Sequence, residues 1–129
     1  MLEAYKLSKS YGKESVLIDF NLQVESGEII GVVGGSGSGK TTLLRLVSGL
    51  EFPDGGKIIL NNHTVNDDNI FIPPEERDCS LVFQDYALFP NISMRQNIYF
   101  GKNSTHNKER VNDLIRETKI EKILDKFPH

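Results

Sequence analysis

Apolar and polar residues alternate weakly from Leu2 to Lys9, and the pattern predicts an edge strand. Tyr11-Gly12-Lys13 predicts a turn. Val16 to Val24 then predicts a second strand, with Phe20, Leu22 and Val24 on one face. Past the turn residues Glu25-Ser26-Gly27-Glu28 the alternation stops. Ile29-Ile30-Gly31-Val32-Val33 contains no polar side chain, as expected of a central strand covered on both faces. From Thr41 the spacing becomes helical: Leu43, Leu46, Val47 and Leu50 fall on one stripe, and Gly49 and Pro53-Asp54-Gly55-Gly56 supply the stop and the turn. Lys57 to Asn61 predicts a short strand, and Asn62 to Glu76 is polar and Pro-bearing, hence mostly loop. Cys79 to Phe83 predicts another strand. Ser93-Met94-Arg95-Gln96 has the S-x-x-Q form of a capping box and predicts a helix start. After a polar break from Gly101 to Asn107, Val111, Leu114, Ile115 and Thr118 predict a helical face. Ile120, Ile123, Leu124 and Phe127 repeat that spacing in a second short helix.

Composition narrows the class without naming a chemistry. The 129 residues carry 15 Lys+Arg against 18 Asp+Glu, a formal charge of −3, with 38% hydrophobic and 26% charged residues. Those proportions fit one small soluble globular domain. A single cysteine excludes an internal disulfide framework and fits a reducing compartment. No apolar run reaches bilayer length, and the first dozen residues lack the apolar stretch of a signal peptide. The mild acidity offers no basic face for nucleic acid.

One segment carries chemistry. Gly34-Gly35-Ser36-Gly37-Ser38-Gly39-Lys40-Thr41 matches G-x-x-x-x-G-K-[ST] at every fixed position. A triphosphate is densely negative, and a loop of small residues lets several backbone N–H groups point at its oxygens. A helix opening at Lys40 adds its positive dipole end. Lys40 can reach the β- and γ-phosphates, and the Thr41 hydroxyl can ligate Mg²⁺. A flexible Gly/Ser linker would have the same composition, but linkers seldom join a buried strand directly to a striped helix.

Several segments around this loop resemble the nucleotide-binding subunit of an ATP-binding-cassette (ABC) transporter. Tyr11 stands where that family places an aromatic residue that stacks on adenine. Residues 34–60, GGSGSGKTTLLRLVSGLEFPDGGKIIL, resemble the family's P-loop, helix and following turn. Val82-Phe83-Gln84-Asp85-Tyr86-Ala87-Leu88-Phe89-Pro90 resembles its Q-loop. Ile72-Pro73-Pro74-Glu75-Glu76-Arg77 is similar to importers of the iron(III), polyamine, sulfate and sugar type. The resemblance implies an α/β fold, that of a P-loop NTPase with an ABC-type nucleotide-binding domain. Residues 1–92 would carry part of the ATP-binding core, and residues 93–129 would begin the α-helical subdomain. It implies ATP and Mg²⁺ as cofactors, with Tyr11, Gly34, Gly35, Ser36, Gly37, Ser38, Gly39, Lys40, Thr41 and Thr42 around the nucleotide. Thr41 and Gln84 would meet the metal, and Lys40 and Gln84 would take part in hydrolysis.

The family's signature motif LSGGQ, Walker B aspartate, catalytic glutamate and switch histidine would all lie beyond residue 129. Residues 1–129 are therefore expected to bind Mg-ATP and hydrolyse it little. The implied setting is the cytoplasmic face of the inner or plasma membrane, with transmembrane permease subunits docking near Tyr86–Phe100. The intact subunit would form a homodimer, with iron(III) as the expected solute.

Other readings weigh less. A GTPase would show D-x-x-G and N-K-x-D after the loop, and a small-molecule kinase an Arg-rich lid; neither pattern is present. A non-catalytic nucleotide-binding or interaction module remains as the alternative. Asp19 and Asp85 each follow an apolar run, imitating a Walker B strand, but read as ordinary residues, and Glu75-Glu76 as a solvated acidic pair. Cys79 reads as a small buried strand residue. His63, His106 and His129 show no metal-ligand spacing. Asn62, Asn91 and Asn103 open glycosylation sequons that mean nothing without a secretory signal.

Overall fold

A computed structural model describes residues 1–101 and 107–129. The sequon at Asn103, His106 and most of the polar break lie outside the described residues. Two compact units are present, Met1–Leu81 and Val82–His129. Residues 82–92 group with the helical residues that follow them.

In the first unit, β1 (Leu2–Tyr11), β2 (Glu14–Val24), β3 (Gly55–Leu60) and β4 (His63–Asn66) form one antiparallel sheet in the order β2-β1-β3-β4. β1 is therefore interior, not the edge strand expected. Its alternation is weak because the β1–β2 register shifts between Ala4 and Leu7 and again on either side of Lys9. Each shift resets which side chains face the core, which blurs the period-two signal. β4 lies within the stretch 62–76 expected to be mostly loop. It is only four residues long, and the hint to it is the Asn61-Asn62 pair, both at positive φ (48° and 66°), as a two-residue type I′ hairpin turn requires.

Helix α1 (Lys40–Ser48) lies on this sheet. Leu43 and Leu46 meet Ala4 and Leu7 of β1, Leu17 of β2, Ile58 and Leu60 of β3, and Val65 of β4 in one buried cluster. Arg77 is buried beside it. Its guanidinium donates to the Leu46 and Val47 carbonyls at 2.8 Å each, and also to the carbonyls of Ile72 and Val65. Burial pushes its pKa below the usual guanidinium value.

The two apolar runs expected as strands are not strands. Ile29–Val33 and Cys79–Phe83 are irregular, and no described strand pairs with either. Ile29 is 97% and Val33 93% exposed. A continuous apolar run codes for burial between neighbours, and without a ladder the backbone has no reason to stay extended.

In the second unit, α2 (Met94–Ile98) begins with the expected capping box: Gln96 N–H donates to Ser93 Oγ, and Ser93 N–H to Gln96 Oε1. Its first-turn N–H groups of Met94 and Arg95 find the carbonyls of Lys126 and Leu124. Helix α3 spans Lys108–Glu117 and buries Ile115. The second short helix expected after it is a single 3-10 turn, Glu121–Ile123. Lys119, at φ 55°, breaks the helix after α3.

Candidate nucleotide-binding site

The glycine-rich segment curls rather than extends. Ser38 N–H donates to the Gly35 carbonyl at 3.3 Å, and Gly37 and Gly39 take φ of +79° and +84°. Gly39 is the N-cap of α1 and offers no side-chain cap, so the first N–H groups of the helix are left for another acceptor. A side chain would be strained at Gly37 and Gly39 by their positive φ and crowded at Gly39 and Gly34. A Cβ on Gly39 would stand 3.1 Å from the Val16 carbonyl oxygen, and one on Gly34 would run into Ser38 Oγ.

Lys40 folds back over the loop. Its ammonium donates to the carbonyls of Gly34 (2.9 Å) and Gly35 (2.6 Å) and to Ser38 Oγ (3.1 Å). The structure thus turns the loop at Gly35–Ser38, places the Lys40 cation across Gly34 and Gly35, and opens the N-terminus of α1 at the loop's end. Both the cation and the helix N-terminus attract an anion. Thr41 is exposed, whereas Thr42 is buried and its hydroxyl is 3.5 Å from the Tyr11 hydroxyl. Tyr11, at the end of β1, is therefore brought to the same helix, and the residue is 44% exposed.

Gln84 lies in the second unit, exposed at the start of the turn 84–87, where Tyr86 N–H donates to the Phe83 carbonyl. Asp85 is exposed in the same turn. Asp19 sits in β2 at φ 46°, its N–H held by Ser8 Oγ. Cys79 is half-buried in an irregular segment, and burial raises its thiol pKa. Among the described residues no group of three or more His, Cys, Asp or Glu could hold a metal ion, and no helix is long and apolar enough to cross a membrane.

Sequence reasoning missed three residues that organise these segments. Lys9, two positions before Tyr11 in β1, holds its ammonium 5.4 Å from the Tyr11 ring centroid. Arg77 binds the carbonyl end of α1. Asn97 donates to the carbonyls of Phe89, Ile92 and Ser93 and accepts from Phe89 N–H, which folds residues 89–93 onto α2. Asn97 acts within eight positions, a reach short enough to show locally, whereas the anchors of Lys9 and the α1 carbonyls bound by Arg77 lie 30 or more positions away.

The family model described as ABC transporter matches residues 17–129, the loop and α1 included. The chain belongs to the ABC transporter family. The spermidine/putrescine import ATP-binding protein PotA of Haemophilus influenzae is 38% identical over 133 residues, covering 99% of this chain and 35% of that protein. The sulfate/thiosulfate import ATP-binding protein CysA of Nitrosomonas europaea is 36% identical, covering 99% of this chain and 37% of that protein. The chain thus spans about a third of the length of the curated ABC relatives it matches. The dimeric structure of MJ0796, a bacterial ABC transporter cassette, superposes with a TM-score of 0.79 at 24% identity, covering 99% of this chain and 62% of that one. The fold is that of an α/β ABC nucleotide-binding domain. Neither named relative is an iron(III) importer, so the expected solute finds no support here.

Proposed function

We propose that this chain forms the ATP-holding part of an ABC import ATPase subunit. The observation that carries the reading is the Lys40 ammonium bound across the Gly34 and Gly35 carbonyls at the uncapped mouth of α1. The backbone N–H groups of residues 34–42 would hold the phosphates, with Lys40 opposing their charge and Tyr11 stacking on the base. The Thr41 hydroxyl would hold Mg²⁺, which would supply neutralisation of the phosphate charge. Nucleotide contacts fall within residues 1–92, and residues 93–129 begin the helical part that faces a permease. The relatives' names point to a polyamine or sulfate as the kind of solute, chosen by other subunits.

No residue in this chain is assigned as the base that activates water. Residues 1–129 should therefore bind Mg-ATP without turning it over. Calorimetric titration with ATP, with and without Mg²⁺, together with a phosphate-release assay, tests this. Saturable binding strengthened by Mg²⁺, with negligible release, is expected. No saturable binding contradicts the site, and sustained turnover contradicts the division of labour.

A further inference from the structure

The Lys9 side chain is largely withdrawn from solvent, only 14% exposed, although it carries a charge on a short antiparallel sheet. Its ammonium donates to the Phe52 carbonyl at 2.8 Å and pairs with Asp54 at 3.4 Å and Glu51 at 3.7 Å. These three partners lie in the turn that follows α1. The Asp54 carboxylate also accepts from Ser10 N–H at 2.7 Å, so one residue fixes both Lys9 and the backbone next to Tyr11. Held there, the ammonium sits over one face of the Tyr11 ring, while the ring's hydroxyl reaches Thr42 on α1.

We propose that Lys9 is a positioning residue for nucleotide base recognition: anchored by Glu51, Phe52 and Asp54, it covers one face of Tyr11 and leaves the other as the stacking face. The proposal rests on the reading of Tyr11 as the base platform. Two physical effects act together. The cation–π contact restrains the ring, so less rotamer freedom is lost when a base stacks on it. The cation also draws π-electron density toward its own side, and an electron-rich purine then stacks better on the opposite face. A lysine that merely stitched the turn to β1 would do neither selectively.

The test compares affinities for ATP and for inorganic tripolyphosphate, which has the charge but no base. Lys9→Gln keeps a donor for the Phe52 carbonyl and removes the cation. It should weaken ATP binding about two- to five-fold, the worth of a partly exposed cation–π contact, and leave tripolyphosphate unchanged. Lys9→Arg keeps a cation over the ring and should restore ATP affinity. Equal weakening of both ligands, no weakening of either, or an equal loss in Lys9→Arg overturns the role assigned to Lys9. Tyr11→Ala is the separate control: if it leaves the ATP-to-tripolyphosphate ratio unchanged, the platform reading itself is wrong. If Tyr11→Ala lowers the ratio and Lys9→Gln does not, the platform stands and Lys9 alone is excluded. Circular dichroism on each variant reports folding independently of binding.

Discussion

The Arg77 guanidinium occupies the space that a side chain at Gly49 would need. A Cβ on Gly49 would lie 2.5 Å from Arg77 Nε and 2.8 Å from Cζ, and Gly49 itself has φ +77° as the C-cap of α1. The pair closes the carbonyl end of the helix whose other end faces the phosphate loop. A cation there also opposes the negative end of the helix dipole. Arg77→Met strips buried acceptors of their donor and should cost about 2–4 kcal/mol of stability, read from urea unfolding. Gly49→Ala combines left-handed strain with this clash and should cost about 1–3 kcal/mol. Wild-type midpoints for both variants would show that the contact is incidental.

The exposed run Ile29–Val33 should make residues 1–129 self-associate. Unpaired apolar backbone templates pairing with another chain. Sedimentation velocity should show species growing with concentration, and the double variant Ile29→Lys, Val33→Lys should remain monomeric over the same range. A wild-type chain that stays monomeric throughout would mean that the run is satisfied some other way.

In the second unit the Phe89 ring packs on Phe100 with centroids 4.4 Å apart, yet the rings are 47% and 65% exposed. Exposed aromatics of this kind are typical anchors at interfaces. Phe89→Ala should leave ATP affinity unchanged and weaken co-purification of the intact subunit with the proposed permease subunits by about five-fold or more. Unchanged assembly would remove the docking role from this segment.

Burial raises the Cys79 thiol above its ordinary value, so less thiolate is present in the folded protein than in the unfolded chain at any mildly alkaline pH. Iodoacetamide at mildly alkaline pH should therefore react more slowly with native than with urea-unfolded protein. The difference should shrink as pH rises past the folded-state value. Equal rates at mildly alkaline pH would show that the side chain is not buried.

What was legible in the sequence, and what was not, follows from the range of the interactions involved. The loop, the start of α1 and the capping box of α2 are written in residues within a few positions of one another, and each appears where expected. The Asn61-Asn62 turn is equally local, carried by two adjacent residues that tolerate positive φ. The interior place of β1 was hidden because bulges broke its alternation. Ile29–Val33 failed for a different reason: its pattern states that it needs covering neighbours, not whether they are present. Lys9 reaches its carbonyl and carboxylate anchors across 42 to 45 positions, Arg77 its carbonyls across 5 to 31, and Asn97 its own across 4 to 8. Apart from the short reach of Asn97, such pairings have no signature along the chain.

The account turns on the loop from Gly34 to Thr41 as the seat of a nucleotide's phosphates, and Lys40→Ala addresses it directly. Its acceptors are exposed, so folding should be untouched, and the urea midpoint should match wild type. Titration with Mg-ATP should then show about a 10- to 100-fold loss of affinity, the worth of a charge-assisted bond to phosphate. A folded Lys40→Ala protein that binds Mg-ATP as tightly as wild type would contradict the site.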